Sequence, residues 1–160
     1  MNVRQARRED AGTVAELLDE ATRWVHELGY KQWPLPFPRD ELAAAIDRAE
    51  VFLVEDEGDP VATVTLQQDD PAYWGARPAD ALYVHKLAVR RDRSGRGIGA
   101  AIVAWANAEA VEAGRDFLRL DCLRDNPGIR EYYEQLGFEH RGDLMEGGRP
   151  MSLYERPVRP

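Results

Sequence analysis

The 160-residue sequence contains one cysteine, Cys122, so no disulfide can form within the chain. A reducing, cytoplasmic setting is the expectation that follows. No apolar run is long enough to span a bilayer, and the first ten residues, "MNVRQARRED", lack an apolar signal core. No membrane partner is expected. Net positive charge is missing as well. The formal charge is −8, and the basic runs Arg7-Arg8 and Arg90-Arg91-Asp92-Arg93 are short. A nucleic-acid binder needs a basic stripe, so that class is excluded. There is no repeat, linker or low-complexity segment, and no metal ligand set is assigned.

What is present is an ordinary globular mixture. Hydrophobic residues make up 44% and charged residues 31%, enough for one domain with its own core over residues 1–160. "NVRQA" reads as a short strand. Asp10 or Thr13 caps the helix after it, and Thr13-x-x-Glu16 fits a capping box. Val14, Leu17, Leu18, Ala21, Val25 and Leu28 recur at helical spacing up to Gly29. The proline-rich "YKQWPLPFP" is a loop, and a second helix covers about 39–49.

"VFLVED" and "PVATVTLQQ" form a hairpin around Glu57-Gly58-Asp59. "DDPAYWGARPAD" reads as a loop and "ALYVHKLAV" as a strand. A helix from about Gly97 shows Ile98, Ala101, Ile102 and Trp105 on one face. "DFLRLDCL" is a strand, Asn126-Pro127 opens a last helix, and "FEHRG" and "PMSLYE" close the chain as strands. Seven strands and four helices in this order imply an α/β (α+β) fold with one mixed sheet flanked by helices.

The glycine turn Gly95-Arg96-Gly97-Ile98-Gly99 precedes an apolar, alanine-rich segment, which is the layout of an anion cradle at a helix start. A Walker-A loop needs Lys-Ser or Lys-Thr after the last glycine, and Ala100-Ala101 stands there instead. A dinucleotide site fits G-x-G-x-x-A, with Asp121 as a ribose-binding acid 22 residues after Gly99. Only 65 residues follow Gly95, however, too few for the rest of that fold.

A strand ending Leu87-Ala88-Val89, then Ser94-Gly95-Arg96-Gly97-Ile98-Gly99-Ala100, resembles the acyl-CoA-binding motif of the GNAT superfamily of N-acetyltransferases. Ser94 stands where that family carries Arg or Gln, with Arg93 one place early. Downstream, "DNPGIREYYEQLGFE" resembles the family's last helix at Asn126, Tyr133, Gly137 and Phe138. The resemblance covers nearly the whole chain. It implies a GNAT-like central mixed sheet and transfer of an acetyl group from acetyl-CoA to a primary amine by direct attack on the thioester. Coenzyme A would be held by Leu87, Ala88, Val89, Gly95, Arg96, Gly97, Ile98, Gly99, Ala100 and Asn126.

Tyr133 matches the family's general acid for the departing thiolate, and it also sits in the packing stripe Ile129-Tyr132-Tyr133-Leu136. His85, two residues before Leu87, is a candidate base because imidazole titrates in the useful range; its bland reading is a half-buried strand histidine. Trp33, Phe37, Tyr73 and Trp74 lie in loops and are candidate walls for a small-molecule amine, or plugs for the sheet ends. Asp69, Asp70 and Asp80 attract a cationic amine or are solvated charges. A monomer or homodimer is expected. Two other classes remain open: a non-catalytic acyl-CoA-binding module and a dinucleotide-binding enzyme.

Overall fold

The computed structural model describes Met1–Pro160. Its elements are β1 (Asn2–Gln5), α1 (Ala11–Glu27), α2 (Arg39–Asp47), β2 (Val51–Asp56), β3 (Asp59–Gln67), α3 (Pro71–Trp74), β4 (Ala81–Val89), α4 (Ile98–Glu112), β5 (Phe117–Leu123), α5 (Pro127–Gln135), β6 (Glu139–Glu146) and β7 (Arg149–Pro157). The seven strands form one mixed sheet in the order β1-β2-β3-β4-β5-β7-β6. Five helices accompany it where four are expected from sequence. The extra one, α3, is a four-residue turn inside the segment read as a loop. Pro71 presets its first position and Gly75, at φ +68°, ends it. Four residues are too few to show a helical period.

Two compact units make up the chain. One holds Met1–Leu66 and Lys86–Ile102; the other holds Gln67–His85 and Val103–Pro160.

In the first unit β1, β2 and β3 pair antiparallel, with Val3 opposite Val54 and Leu53 opposite Thr63. The Glu57-Gly58 turn takes positive φ at both residues, as a tight hairpin requires. The α1 stripe Val14, Leu17 and Leu18 packs with Leu42 and Ile46 of α2 and with Val51 and Leu53. The expected capping box at Thr13 does not form, because α1 already begins at Ala11. Asp10 is committed elsewhere: its carboxylate accepts from the Arg7 amide at 2.8 Å and pairs with Arg4. The proline-rich loop is tied down by Asp19, whose buried carboxylate accepts from the Phe37 amide at 2.8 Å.

In the second unit β4 runs parallel to β5 over Ala81–Tyr83 and Phe117–Arg119. β5 and β7 pair antiparallel, with Asp121 opposite Leu153 and Cys122 opposite Ser152. β6 and β7 form a hairpin whose turn residues Gly147 and Gly148 both have positive φ. Arg119 is 2% exposed and fully engaged: it donates to Glu155 at 2.8 Å, to Asp80 at 2.8 Å and to the Tyr83 hydroxyl at 2.9 Å. Asp80 is therefore a structural partner of a buried cation, where the sequence allowed it a role in attracting an amine. The α4 burial also differs from expectation. Gly99, Ile102, Val103, Ala106 and Ala110 are its buried residues, and Trp105 is only partly covered. Small alanines one turn apart give that stripe the closer approach.

Candidate active site

The glycine turn is built as an open backbone cradle. Gly95 and Gly97 have φ of +75° and +77°, and a Cβ on either would meet no atom within 4 Å. The backbone angle, and not crowding, selects glycine here. The first helical hydrogen bond of α4 runs from the Ala101 amide to the Gly97 carbonyl at 3.0 Å. The amides of Ile98, Gly99 and Ala100 precede it and have no acceptor within the helix. No acidic residue occupies the first turn of α4, so nothing in the helix opposes an anion there.

The arginines around the turn divide into two groups. Arg90 binds Asp59 at 2.8 Å and Asp92 at 2.6 Å, and Arg93 binds Asp59 at 3.0 Å and Asp56 at 3.4 Å. Arg91 lies over the Trp24 ring at 3.6 Å, and its amide donates to Glu20 at 3.1 Å. Arg96 is exposed and makes no ion pair. On β4, Ala88 packs into the core of the first unit, which leaves its backbone as the part that can serve a ligand.

The second unit brings together three titratable side chains from three segments. His85 on β4 places Nε2 3.1 Å from Asp70 Oδ2 and Nδ1 3.4 Å from Asp121 Oδ1 on β5. All three side chains are 9% to 14% exposed. The Asp70 contact is close but not directed: neither Nε2 nor Asp70 Oδ2 has a well-aligned hydrogen bond. The Tyr73 ring lies 6.5 Å from the His85 ring, and its hydroxyl donates to Glu146 at 3.2 Å. Burial, then the charges of Asp121 and Glu146, push the Tyr73 hydroxyl above the ordinary phenol range.

Tyr133 on α5 is 8% exposed and packs edge-to-face with Tyr132 at 5.4 Å and Phe138 at 5.8 Å. Burial pushes its hydroxyl upward, and Cys122, Tyr132 and Asp121 act in the same direction. The phenol therefore keeps its proton at neutral pH and is available as a donor. Cys122 is buried, and its thiol is pushed up to about 12, first by burial and then by Asp121. A thiol held in that form is no nucleophile at neutral pH.

Of the aromatic candidates, Tyr73 stands beside His85. Phe37 is 3% exposed in the core of the first unit, where Trp33 packs against the same cluster and Lys86 sits 5.7 Å from the Phe37 ring centroid. Trp74 is 6% exposed and clusters with Ala81 and Tyr83. Asn126 caps α5, its side-chain oxygen accepting from the Ile129 amide at 3.3 Å. Sequence reasoning named Asp70 as a loop charge that attracts a cationic amine or is merely solvated, and Asp121 only as a ribose-binding acid. Their common partner is His85, and no spacing in the chain announces that.

Asp70, His85 and Asp121 offer donor atoms within 4.8 Å of one another, so they are also the group that could hold a metal ion. No helix is long and apolar enough to cross a membrane.

The model of the acetyltransferase (GNAT) family matches residues 14–138. An uncharacterized N-acetyltransferase of Bacillus subtilis (strain 168), YesJ, is 29% identical over 158 residues, covering 94% of this chain and 86% of that protein. A GNAT-family acetyltransferase structure from Listeria monocytogenes superimposes with a TM-score of 0.81 at 26% identity, covering 98% of this chain and 94% of the other. The fold is shared with yncA of Salmonella typhimurium, solved with its cofactor acetyl-CoA: TM-score 0.73, 15% identity, 100% and 95% covered.

Proposed function

The chain belongs to the GNAT acetyltransferase family, and from that premise we propose that it moves an acetyl group from acetyl-CoA to a primary amine of a small molecule. One observation carries the cofactor assignment: two glycines in the left-handed region open α4, whose first turn has no acid, beside an unpaired Arg96. In this reading Gly95 to Ala100 hold the pyrophosphate with backbone amides, and Arg96 adds a charge-assisted contact. Leu87, Ala88 and Val89 pair by their backbones with the amide-rich pantetheine arm, as an added strand would. Asn126, already a helix cap, keeps its amide group for the cofactor.

The chemistry follows from the second unit's residues. A primary amine arrives as R–NH3+ and passes one proton to His85. Its lone pair attacks the acetyl carbon, the C–S bond breaks, and the electron pair leaves on sulfur. Tyr133 protonates the thiolate and is reprotonated by the second amine proton. The net release is one proton, from His85 to solvent. The Tyr133 hydroxyl is protonated at neutral pH, which the donor role requires. The protonated, buried Cys122 supports direct transfer over an acyl-cysteine intermediate.

Tyr73, beside His85, remains as a wall for the acceptor, since Trp33, Phe37 and Trp74 take part in packing. The reaction needs no metal in this reading, and the setting is cytoplasmic, as the free thiol of Cys122 suggests. The reading takes residues 1–160 as one catalytic domain.

The test is release of free coenzyme A thiol from acetyl-CoA across a panel of primary amines. Amine-dependent release with a matching acetylated product supports the assignment. Tight acetyl-CoA binding with no release for any amine leaves a binding module in its place.

A further inference from the structure

The chain has 21 basic residues, and two of them are lysines, Lys31 and Lys86. Their surroundings differ. Lys31 is exposed in the proline-rich loop. Lys86 lies on β4 between His85 and Leu87 and is half-buried. Its Nζ sits 5.7 Å from the Phe37 ring centroid and 3.8 Å from Glu41 Oε1. The second distance is too long for a hydrogen bond and Glu41 is exposed, so that pairing holds the amine weakly.

The backbone of Lys86 is also out of the ordinary. Its φ is +49° inside a strand, a left-handed conformation that a residue with a long side chain rarely takes. Such positions persist where the surroundings over-determine them, and they collect at functional sites. The ladder between β4 and β5 runs over Ala81–Tyr83, so Lys86 follows its end. In the proposed cofactor site the pyrophosphate lies at Gly95 to Ala100, beyond the end of β4, and the pantetheine arm pairs with Leu87 to Val89. An arm laid that way runs back along β4, and its thioester end arrives beside Lys86.

We infer that Lys86 is a self-acetylation site: its amine takes the acetyl group from acetyl-CoA bound by the same chain. This rests on the acetyl-CoA part of the proposed function and needs no external acceptor. The ammonium group first gives one proton to solvent. The Nζ lone pair attacks the acetyl carbon, an N–C bond forms, the C–S bond breaks, and its electron pair leaves on sulfur. A second amine proton passes through solvent to the thiolate. The products are Nζ-acetyl-lysine, free coenzyme A thiol and one proton. Lys86 loses its charge, and with it the attraction to Glu41. The two lysines give opposite orders of reaction for two mechanisms. Acetylation from solution favours the exposed Lys31. A bound donor favours Lys86, because holding the reactants together replaces a bimolecular encounter.

The test incubates the whole protein with acetyl-CoA in an amine-free buffer and follows the acetyl groups on Lys31 and Lys86 by peptide mass spectrometry. The expected result is marking of Lys86 at least about tenfold faster than of Lys31. The Lys86 rate should saturate with acetyl-CoA, fall when excess coenzyme A competes, and stay the same when the protein is diluted. In denaturing urea the preference should vanish. Lys86→Arg, which keeps the charge, should reduce thiol release in this buffer to the level that Lys31 accounts for. Equal marking of the two lysines in the folded protein, faster marking of Lys31, or a Lys86 rate that rises with protein concentration overturns the inference. Turnover of an added amine with Lys86 unmarked overturns self-acetylation alone. Marking of Lys86 with no amine of the panel turned over overturns transfer to an external amine alone.

Discussion

Arg90 places its guanidinium 2.8 Å from Asp59, the first residue of β3 at the turn end of the β2–β3 hairpin. That pairing, with the Arg93 contacts to Asp56 and Asp59, uses two of the cations near the glycine turn and leaves Arg96 for an anion. Arg96→Ala should weaken coenzyme A binding about tenfold, as loss of one partly exposed charge-assisted contact does. The loss should shrink at high salt. Arg90→Ala should cost less than about 1 kcal/mol of stability, because its partners are half exposed, and should change affinity little. Calorimetry with coenzyme A at two salt concentrations, plus melting temperatures, checks both.

Gly97→Val should fold and fail to bind coenzyme A tightly. The Cβ meets open space in the free protein, so packing is not disturbed. The strain of a branched residue at φ +77° is about 1–3 kcal/mol. In the proposed cradle the added methyl groups would also stand where the pyrophosphate approaches. A loss of at least about tenfold in affinity, with a cooperative melt retained, is the expected result; unchanged affinity would remove the cradle.

Asp10 titrates low because Arg4 donates to it, with the Arg7 amide helping; its carboxyl is lowered to about 2. A depressed carboxyl contributes stability that is complete above its ordinary value near 4 and is lost as pH falls through the folded value. Part of the acid loss of stability between about pH 4 and pH 2 therefore belongs to Asp10. In Asp10→Asn the melting temperature should be lower at pH 7, and the gap to the parent should close across that window. A gap that is constant with pH contradicts the assignment.

Cys122 should resist iodoacetamide at pH 8 in the folded protein, because burial holds the thiol at about 12. Alkylation should appear only with unfolding in denaturant. Cys122→Ser should retain turnover, as direct transfer requires no acyl-cysteine. Rapid labelling of the native protein would place the thiol in the chemistry.

The elements legible in the sequence are those whose signal is local. Gly29, Gly114 and Gly137 mark left-handed stops, and all three have positive φ. Asn126-Pro127 announces α5, and Asn126 caps it. The glycine turn is legible because its backbone angles admit little else. What was not legible depends on partners far apart in the chain. The Arg93 contact to Asp59 crosses 34 residues, so a charged loop and a neutralised one look alike in sequence. Asp70, His85 and Asp121 come from three segments, and only pairing of β4 with β5 puts two of them side by side. Phe37 and Trp74 illustrate the opposite case: aromatic residues read from sequence as loop residues, which the core takes in.

Steady-state kinetics of Tyr133→Phe beside Tyr132→Phe tests the acetyl-transfer account most directly. The phenylalanine keeps the ring contacts with Tyr132 and Phe138, so both variants should melt near the parent temperature. If the Tyr133 hydroxyl protonates the departing thiolate, kcat should fall by about 10² or more while coenzyme A affinity stays within about twofold. Tyr132→Phe should retain most turnover. Near-full turnover in Tyr133→Phe, or a larger loss in Tyr132→Phe, would contradict the assignment of the acid.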